Sequence, residues 1–207
     1  MQQKTKKRLG VLLSGRGSNF LAIAEAIRDG RIPDAEIAVV ISNKPEAAGL
    51  AAAREQGLEA VCIAAEGRKR AEHDAAILAH LRGYPLDLVC LAGYMRIISP
   101  EFVAAFPERI LNVHPSLLPA FPGLDAQMQA FAYGVKVAGC TVHFVDEAVD
   151  HGVIVLQKVV PVLDEDTEET LAARILEQEH LAYPEAIARV LSGEYATVGR
   201  RYLKQSR

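Results

Sequence analysis

Five short, mainly apolar runs, at residues 9–13, 36–42, 58–63, 86–91 and 110–113, recur along the first half of the chain, with stretches of helical spacing between them. Runs of this length suit strands buried on both faces. Strands that alternate with helices become parallel neighbours, because a parallel pair needs a crossover connection and a helix supplies it. The pattern predicts an α/β, Rossmann-like fold, a mostly parallel twisted sheet flanked by helices on both faces. Helices are expected at residues 20–28, 46–56, 68–82, 101–106 and 125–133, with Gly134 as C-cap of the last. Strands at 137–145 and 153–162 follow by shorter connections and are expected to bring in an antiparallel element. A long amphipathic helix is expected at 168–191, its pattern broken near Pro184. The tail at 194–207 suggests an edge strand or hairpin with a disordered end, and residues 1–8 a flexible N-terminus.

No repeat or linker interrupts the 207 residues, so one domain from 1 to 207 is expected. Half of the residues are apolar, enough for a sizeable core, and the net charge of −3 argues against electrostatic wrapping of nucleic acid. Cys62, Cys90 and Cys140 are odd in number, far apart and set in apolar runs. They read as reduced core thiols of a soluble, cytoplasmic protein. No apolar run is long enough for a signal peptide or membrane helix, so no membrane partner is expected.

Two stretches carry chemistry. Ser14-Gly15-Arg16-Gly17-Ser18-Asn19 turns the chain between a strand and a helix, the arrangement in which backbone N–H groups hold a phosphate. A dinucleotide fingerprint would need a glycine or alanine where Phe20 stands, so a monophosphate is expected and a nicotinamide cofactor is not. A tight turn that binds nothing is the plain alternative. The second stretch, residues 110–123, ends a strand and runs into a loop stiffened by Pro115, Pro119 and Pro122. Asn112 and His114 are two residues apart on that strand and point to the same side. A carboxamide and an imidazole leaving a strand end together suit acyl chemistry: one donates to a developing oxyanion while the other moves a proton. A histidine satisfied by backbone, beside an asparagine that caps a turn, is the structural alternative.

Asn-Val-His-Pro-Ser-Leu-Leu-Pro followed by Phe-Pro-Gly closely resembles the signature of the folate-dependent formyltransferases. The resemblance implies their fold and a formyl transfer from 10-formyltetrahydrofolate, as co-substrate and without a metal, to the amine of glycinamide ribonucleotide in purine synthesis. It implies ribonucleotide contacts at Gly17, Ser18, Asn19 and Glu179. It assigns the folate pocket to Arg70, Met95, Arg96, Ile97, Ile98, Asn112 and the loop Asp146, Glu147, Ala148, Val149 and Asp150. Asn112, His114 and Asp150 become the catalytic set, since a carboxylate near His114 would pair with its charged form and order a relay water. Asp150-His151-Gly152-Val153 departs from the family's Asp-x-Gly-Pro at its last position, which suggests a less rigid loop.

Without the resemblance, Arg70 and Glu179 would read as solvated helix positions, residues 95–98 as core, and Asp150 as a turn residue. His143 is either a group supporting the site or a structural histidine. A metal at His114, His143 and His151 is not expected, their spacing being generic. Small-molecule substrates and a monomer or weak homodimer complete the reading. The sister tRNA formyltransferase would be expected to carry a C-terminal domain and a basic surface, and the deformylase an extra N-terminal domain. A nucleotide-binding regulator that lost catalysis is the alternative of another class.

Overall fold

The computed structural model describes residues 5–205. Strand β1 (Lys7–Leu13) leads into helix α1 (Ser18–Arg28), followed by β2 (Ala35–Ser42), α2 (Ala48–Glu55), β3 (Ala60–Cys62), α3 (Arg70–Leu81), β4 (Leu88–Leu91), α4 (Pro100–Ala105) and β5 (Ile110–His114). Then come α5 (Ala126–Tyr133), β6 (Val137–Phe144), β7 (Ile154–Pro161), α6 (Glu168–Ser192), β8 (Tyr195–Val198) and β9 (Arg201–Lys204). Strands β1 to β7 form one sheet in the order β3-β2-β1-β4-β5-β6-β7, while β8 and β9 pair as a separate hairpin. The mostly parallel sheet with flanking helices is therefore as expected, and so is the hairpin in the tail.

The chain divides into two compact units, one ending at Leu111 and the other beginning at Asn112. In the first, β1 pairs in parallel with β2 and β4, and β2 with β3. The strand order reverses at β1, so right-handed crossovers place α1 and α2 on one face and α3 and α4 on the other. Each helix pair packs against its own mate. Leu9, Val11, Leu12, Ile41, Leu88 and Val89 are fully buried, which explains why these strands read as continuous apolar runs. Lys7 and Arg8 belong to β1, so the flexible stretch expected for 1–8 does not extend to them, and residues 1–4 lie outside the described ones. Ser206 and Arg207, where the tail was expected to be disordered, also lie outside them.

In the second unit β6 and β7 run antiparallel, with an irregularity in register between Val142 and His143. Helix α6 packs on both strands and against α5. It begins at Thr167, whose side chain accepts the N–H of Thr170, and stops at Gly193 in the left-handed region. The long helix is as expected, 25 residues that run through Pro184. Proline there removes one backbone hydrogen bond, a cost of about 3 kcal/mol. Ala182, Tyr183, Ala186 and Ile187 are all fully buried around it, and burial of large apolar side chains at about 1.5–3 kcal/mol each outweighs that loss.

Candidate active site

In the first unit, the turn after β1 presents the N-terminus of α1. Gly17 caps that helix at φ 78°, without any side-chain cap and with no acidic residue in the first turn. A Cβ on Gly17 would lie 2.7 Å from the Cα of Gly49, so only glycine lets the two backbones meet. The first N–H groups of α1 have no helical partner and lie at the positive end of its dipole, which suits an anion. Ser18 is half-buried and Asn19 buried, both in that first turn.

The expected folate stretch lies in the same unit, after β4. Met95 and Ile97 are 67% and 55% exposed, an unusual display of apolar surface for two residues so close in sequence. Ile98, by contrast, is buried, with 8% of its surface exposed. Arg96 is half-buried, and its Nε has no hydrogen-bond partner. Arg70 is the first residue of α3 and exposed.

The second unit carries the polar cluster. Asn112 and His114 sit at alternate positions of β5, as the spacing predicts. His114 is 5% exposed. Its Nε2 lies 2.9 Å from the carbonyl oxygen of Phe121, and its Nδ1 lies 3.3 Å from Oδ2 of Asp150. Both ring nitrogens therefore face acceptors, and the doubly protonated ring satisfies both. The Phe121 carbonyl is turned inwards by a backbone at φ 52°.

Asp150 reaches the cluster from a backbone at φ 50° after β6. Its Oδ2 accepts the N–H of Gly123 at 2.8 Å, and its Oδ1 stands 3.6 Å from Nε2 of His143. Burial works against its charge, but the ring of His143 at 3.6 Å, the hydrogen bond from the Gly123 N–H and the nearby His114 outweigh it. The carboxyl is held below its usual range.

His143 is the residue that sequence reasoning left undecided. Its Nδ1 lies 2.8 Å from the Phe144 carbonyl, and its Nε2 lies 3.2 Å from Nδ2 of Asn112. In the neutral tautomer Nδ1–H donates to that carbonyl and Nε2 accepts from the amide, which fixes the carboxamide and leaves one amide N–H to spare. The alternation Thr141, His143 was the signal that could have found it. Thr141 Oγ1 donates to the Ser116 carbonyl at 2.7 Å and accepts the N–H of Leu118 at 3.0 Å. Gln157 donates to both the Leu118 carbonyl and Thr141 Oγ1 at 2.9 Å, so the proline loop is stitched to β6 and β7.

The loop at 146–150 is fastened despite Val153. Asp146 accepts the Ala148 N–H at 3.0 Å and pairs with His151 at 2.9 Å. Arg200 donates to the His151 carbonyl, and the Phe144 N–H to the Val153 carbonyl. Glu147, Ala148 and Val149 are exposed. Glu179 is buried on α6, where its charge helps to push the Cys140 thiol up, so the solvated-surface alternative does not hold. Among the described residues no group of three or more His, Cys, Asp or Glu side chains is placed to hold a metal, and no helix is long and apolar enough to cross a membrane.

The sequence profile of the Formyl transferase family matches residues 7–187. The chain is 43% identical to the phosphoribosylglycinamide formyltransferase of Haemophilus influenzae over 97% of its own length and 92% of that protein's. It is 44% identical to the trifunctional purine biosynthetic protein adenosine-3 of Drosophila melanogaster over 93% of its length, but spans only 14% of that protein. The crystal structure of glycinamide ribonucleotide transformylase 1 from Symbiobacterium toebii superimposes with a TM-score of 0.94 at 52% identity, covering 99% of this chain and 96% of that one.

Proposed function

This chain belongs to the formyl transferase family, and from that premise we propose that it carries out the phosphoribosylglycinamide formyltransferase reaction, passing the formyl group of 10-formyltetrahydrofolate to the primary amine of glycinamide ribonucleotide. The near-full-length likeness to a relative of that name carries the substrate assignment. The cluster of Asn112, His114, His143 and Asp150 carries the chemistry.

The amine nitrogen attacks the formyl carbon and forms the new C–N bond, giving a tetrahedral intermediate with the charge on the former carbonyl oxygen. The spare N–H of Asn112 donates to that oxygen, worth about 2.7–4 kcal/mol in comparable oxyanion sites. The imidazolium of His114, paired with Asp150, adds its positive charge. Its Nε2–H is spent on the Phe121 carbonyl, so direct donation to substrate requires that contact to open. The bond from the formyl carbon to N10 then breaks. One proton leaves the attacking nitrogen and one arrives at N10, relayed through His114 or water held by Asp150. The products are the formylated amide and tetrahydrofolate.

Gly17, Ser18 and Asn19 hold the ribonucleotide phosphate at the α1 N-terminus, and Glu179 its sugar or amide groups. Met95, Arg96, Ile97, Ile98 and the backbone of 146–150 receive the folate, with Arg70 beside them. The exposed apolar side chains of Met95 and Ile97 support that reading. The test follows folate absorbance with purified protein, 10-formyltetrahydrofolate and the ribonucleotide, against a reaction lacking ribonucleotide. Ribonucleotide-dependent release is expected. Equal release in both would mean hydrolysis, and no release would mean the site is not catalytic.

A further inference from the structure

The ends of three neighbouring strands, β1, β2 and β4, are tied together at one hydroxyl. Ser14 is the first residue after β1 and is 5% exposed. Its N–H donates to the Gly93 carbonyl at 3.0 Å. Its Oγ–H donates to Oδ1 of Asn43, the residue after β2, at 2.6 Å. The same oxygen accepts the N–H of Met95 at 2.8 Å. One buried side chain thus fastens the start of the phosphate turn to the start of the loop carrying Met95 and Ile97. The far end of that loop is pinned as well, because the Ser99 N–H donates to Oδ2 of buried Asp74 at 2.5 Å. The turn itself is held by Gly15, whose carbonyl accepts the Gly49 N–H at 3.0 Å.

These loops flank the place where the strand order reverses, between β1 and β4. Ligands of open α/β sheets bind outside the carboxyl ends of the strands at such a point. Two loops sharing one hydrogen-bonding hub cannot settle independently. Whatever orders one reduces the ordering left to be done by a ligand of the other, and that is a coupling free energy.

We infer that Ser14 is a positioning residue that couples the two substrates, so that ribonucleotide bound at the turn after β1 tightens folate binding at the loop after β4. The inference rests on the assignment of those two loops under the proposed function. Ser14 is buried, and its effect passes through the backbone N–H of Met95 and the side chain of Asn43.

The test measures tetrahydrofolate affinity by calorimetry, with and without saturating glycinamide ribonucleotide, a pair that cannot react. In the unaltered protein the ribonucleotide is expected to tighten folate binding more than twofold, with the reciprocal factor for the ribonucleotide. Ser14→Ala is expected to bring that factor within twofold of unity, and Ser14→Thr, which keeps the hydroxyl, to restore it. A merely structural role would weaken both affinities and lower the melting temperature while leaving the factor unchanged, and that result overturns the inference. So does the absence of coupling in the unaltered protein. Should Ser14→Ala not fold, Asn43→Ala removes the acceptor of the hydroxyl and is expected to reduce the factor; an unchanged factor there contradicts the inference equally. Ribonucleotide-dependent turnover by the unaltered protein separates failure of this inference from failure of the functional reading.

Discussion

Oδ2 of Asp150 lies 3.3 Å from Nδ1 of His114, with both side chains largely withdrawn from solvent at 12% and 6% exposure. An amide in place of the carboxylate removes the negative charge beside the His114 ring, whose other nitrogen faces the Phe121 carbonyl. Asp150→Asn is expected to lower kcat by about 10²- to 10⁴-fold, the range for loss of a positioned proton-transfer group. Rapid-quench turnover under saturating substrates checks it, and a loss below tenfold would contradict the role.

The same carboxyl sets an acid limit. Its folded-state value lies below the ordinary one, so its charge stabilises the fold at pH values above the ordinary carboxylate range. That contribution is lost as pH falls through the lowered value. The stability difference between this protein and Asp150→Asn, read from urea midpoints, is expected to shrink as pH drops below about 4. A difference that grows on acidification would reverse the sign argued here.

Asn112 spends one amide hydrogen on His143 and has one to spare. Asn112→Ala is expected to cost about 10²- to 10³-fold in kcat with little change in either KM, the mark of a donor used in the transition state. An effect confined to KM would make it a binding residue.

Gly17→Ala places a Cβ 2.7 Å from the Gly49 backbone at a left-handed φ. The strain is expected to cost about 1–3 kcal/mol of stability in thermal unfolding. Ribonucleotide affinity should fall further than folate affinity. Equal losses would speak against a phosphate seat at this turn.

The three thiols should separate by reactivity. Cys140 is fully buried, and burial, with the Glu179 charge, pushes its thiol up to about 12. Cys90 is buried and Cys62 half-exposed. Alkylation of native protein at pH 8, read by peptide mass spectrometry, is expected to label Cys62 first and Cys140 only on unfolding.

The fold was largely legible because its strands are buried on both faces, and such strands write themselves as apolar runs. Leu9, Leu88 and Leu111 announce their strands whatever surrounds them. Asn112 and His114 were legible for a related reason, since the two-residue period of a strand fixes their common side. Contacts made across sequence were not. The partner of His114 is a carbonyl seven residues on, turned inwards by a positive φ at Phe121 that no residue type advertises. His143 follows a register irregularity that depends on how β6 meets β7. Ile98 reads like its exposed neighbour Ile97, and only packing separates the two. Proline at 184 signals a break, yet the buried face of α6 overrides it.

The most direct test of the central claim is a single turnover with 10-formyltetrahydrofolate labelled with carbon-13 in the formyl group, read by mass spectrometry of the ribonucleotide. The account predicts that the label appears on the glycinamide amine with the unaltered protein and not, on the same timescale, with Asp150→Asn. Label recovered as free formate with the unaltered protein, or transferred equally by the variant, would contradict it.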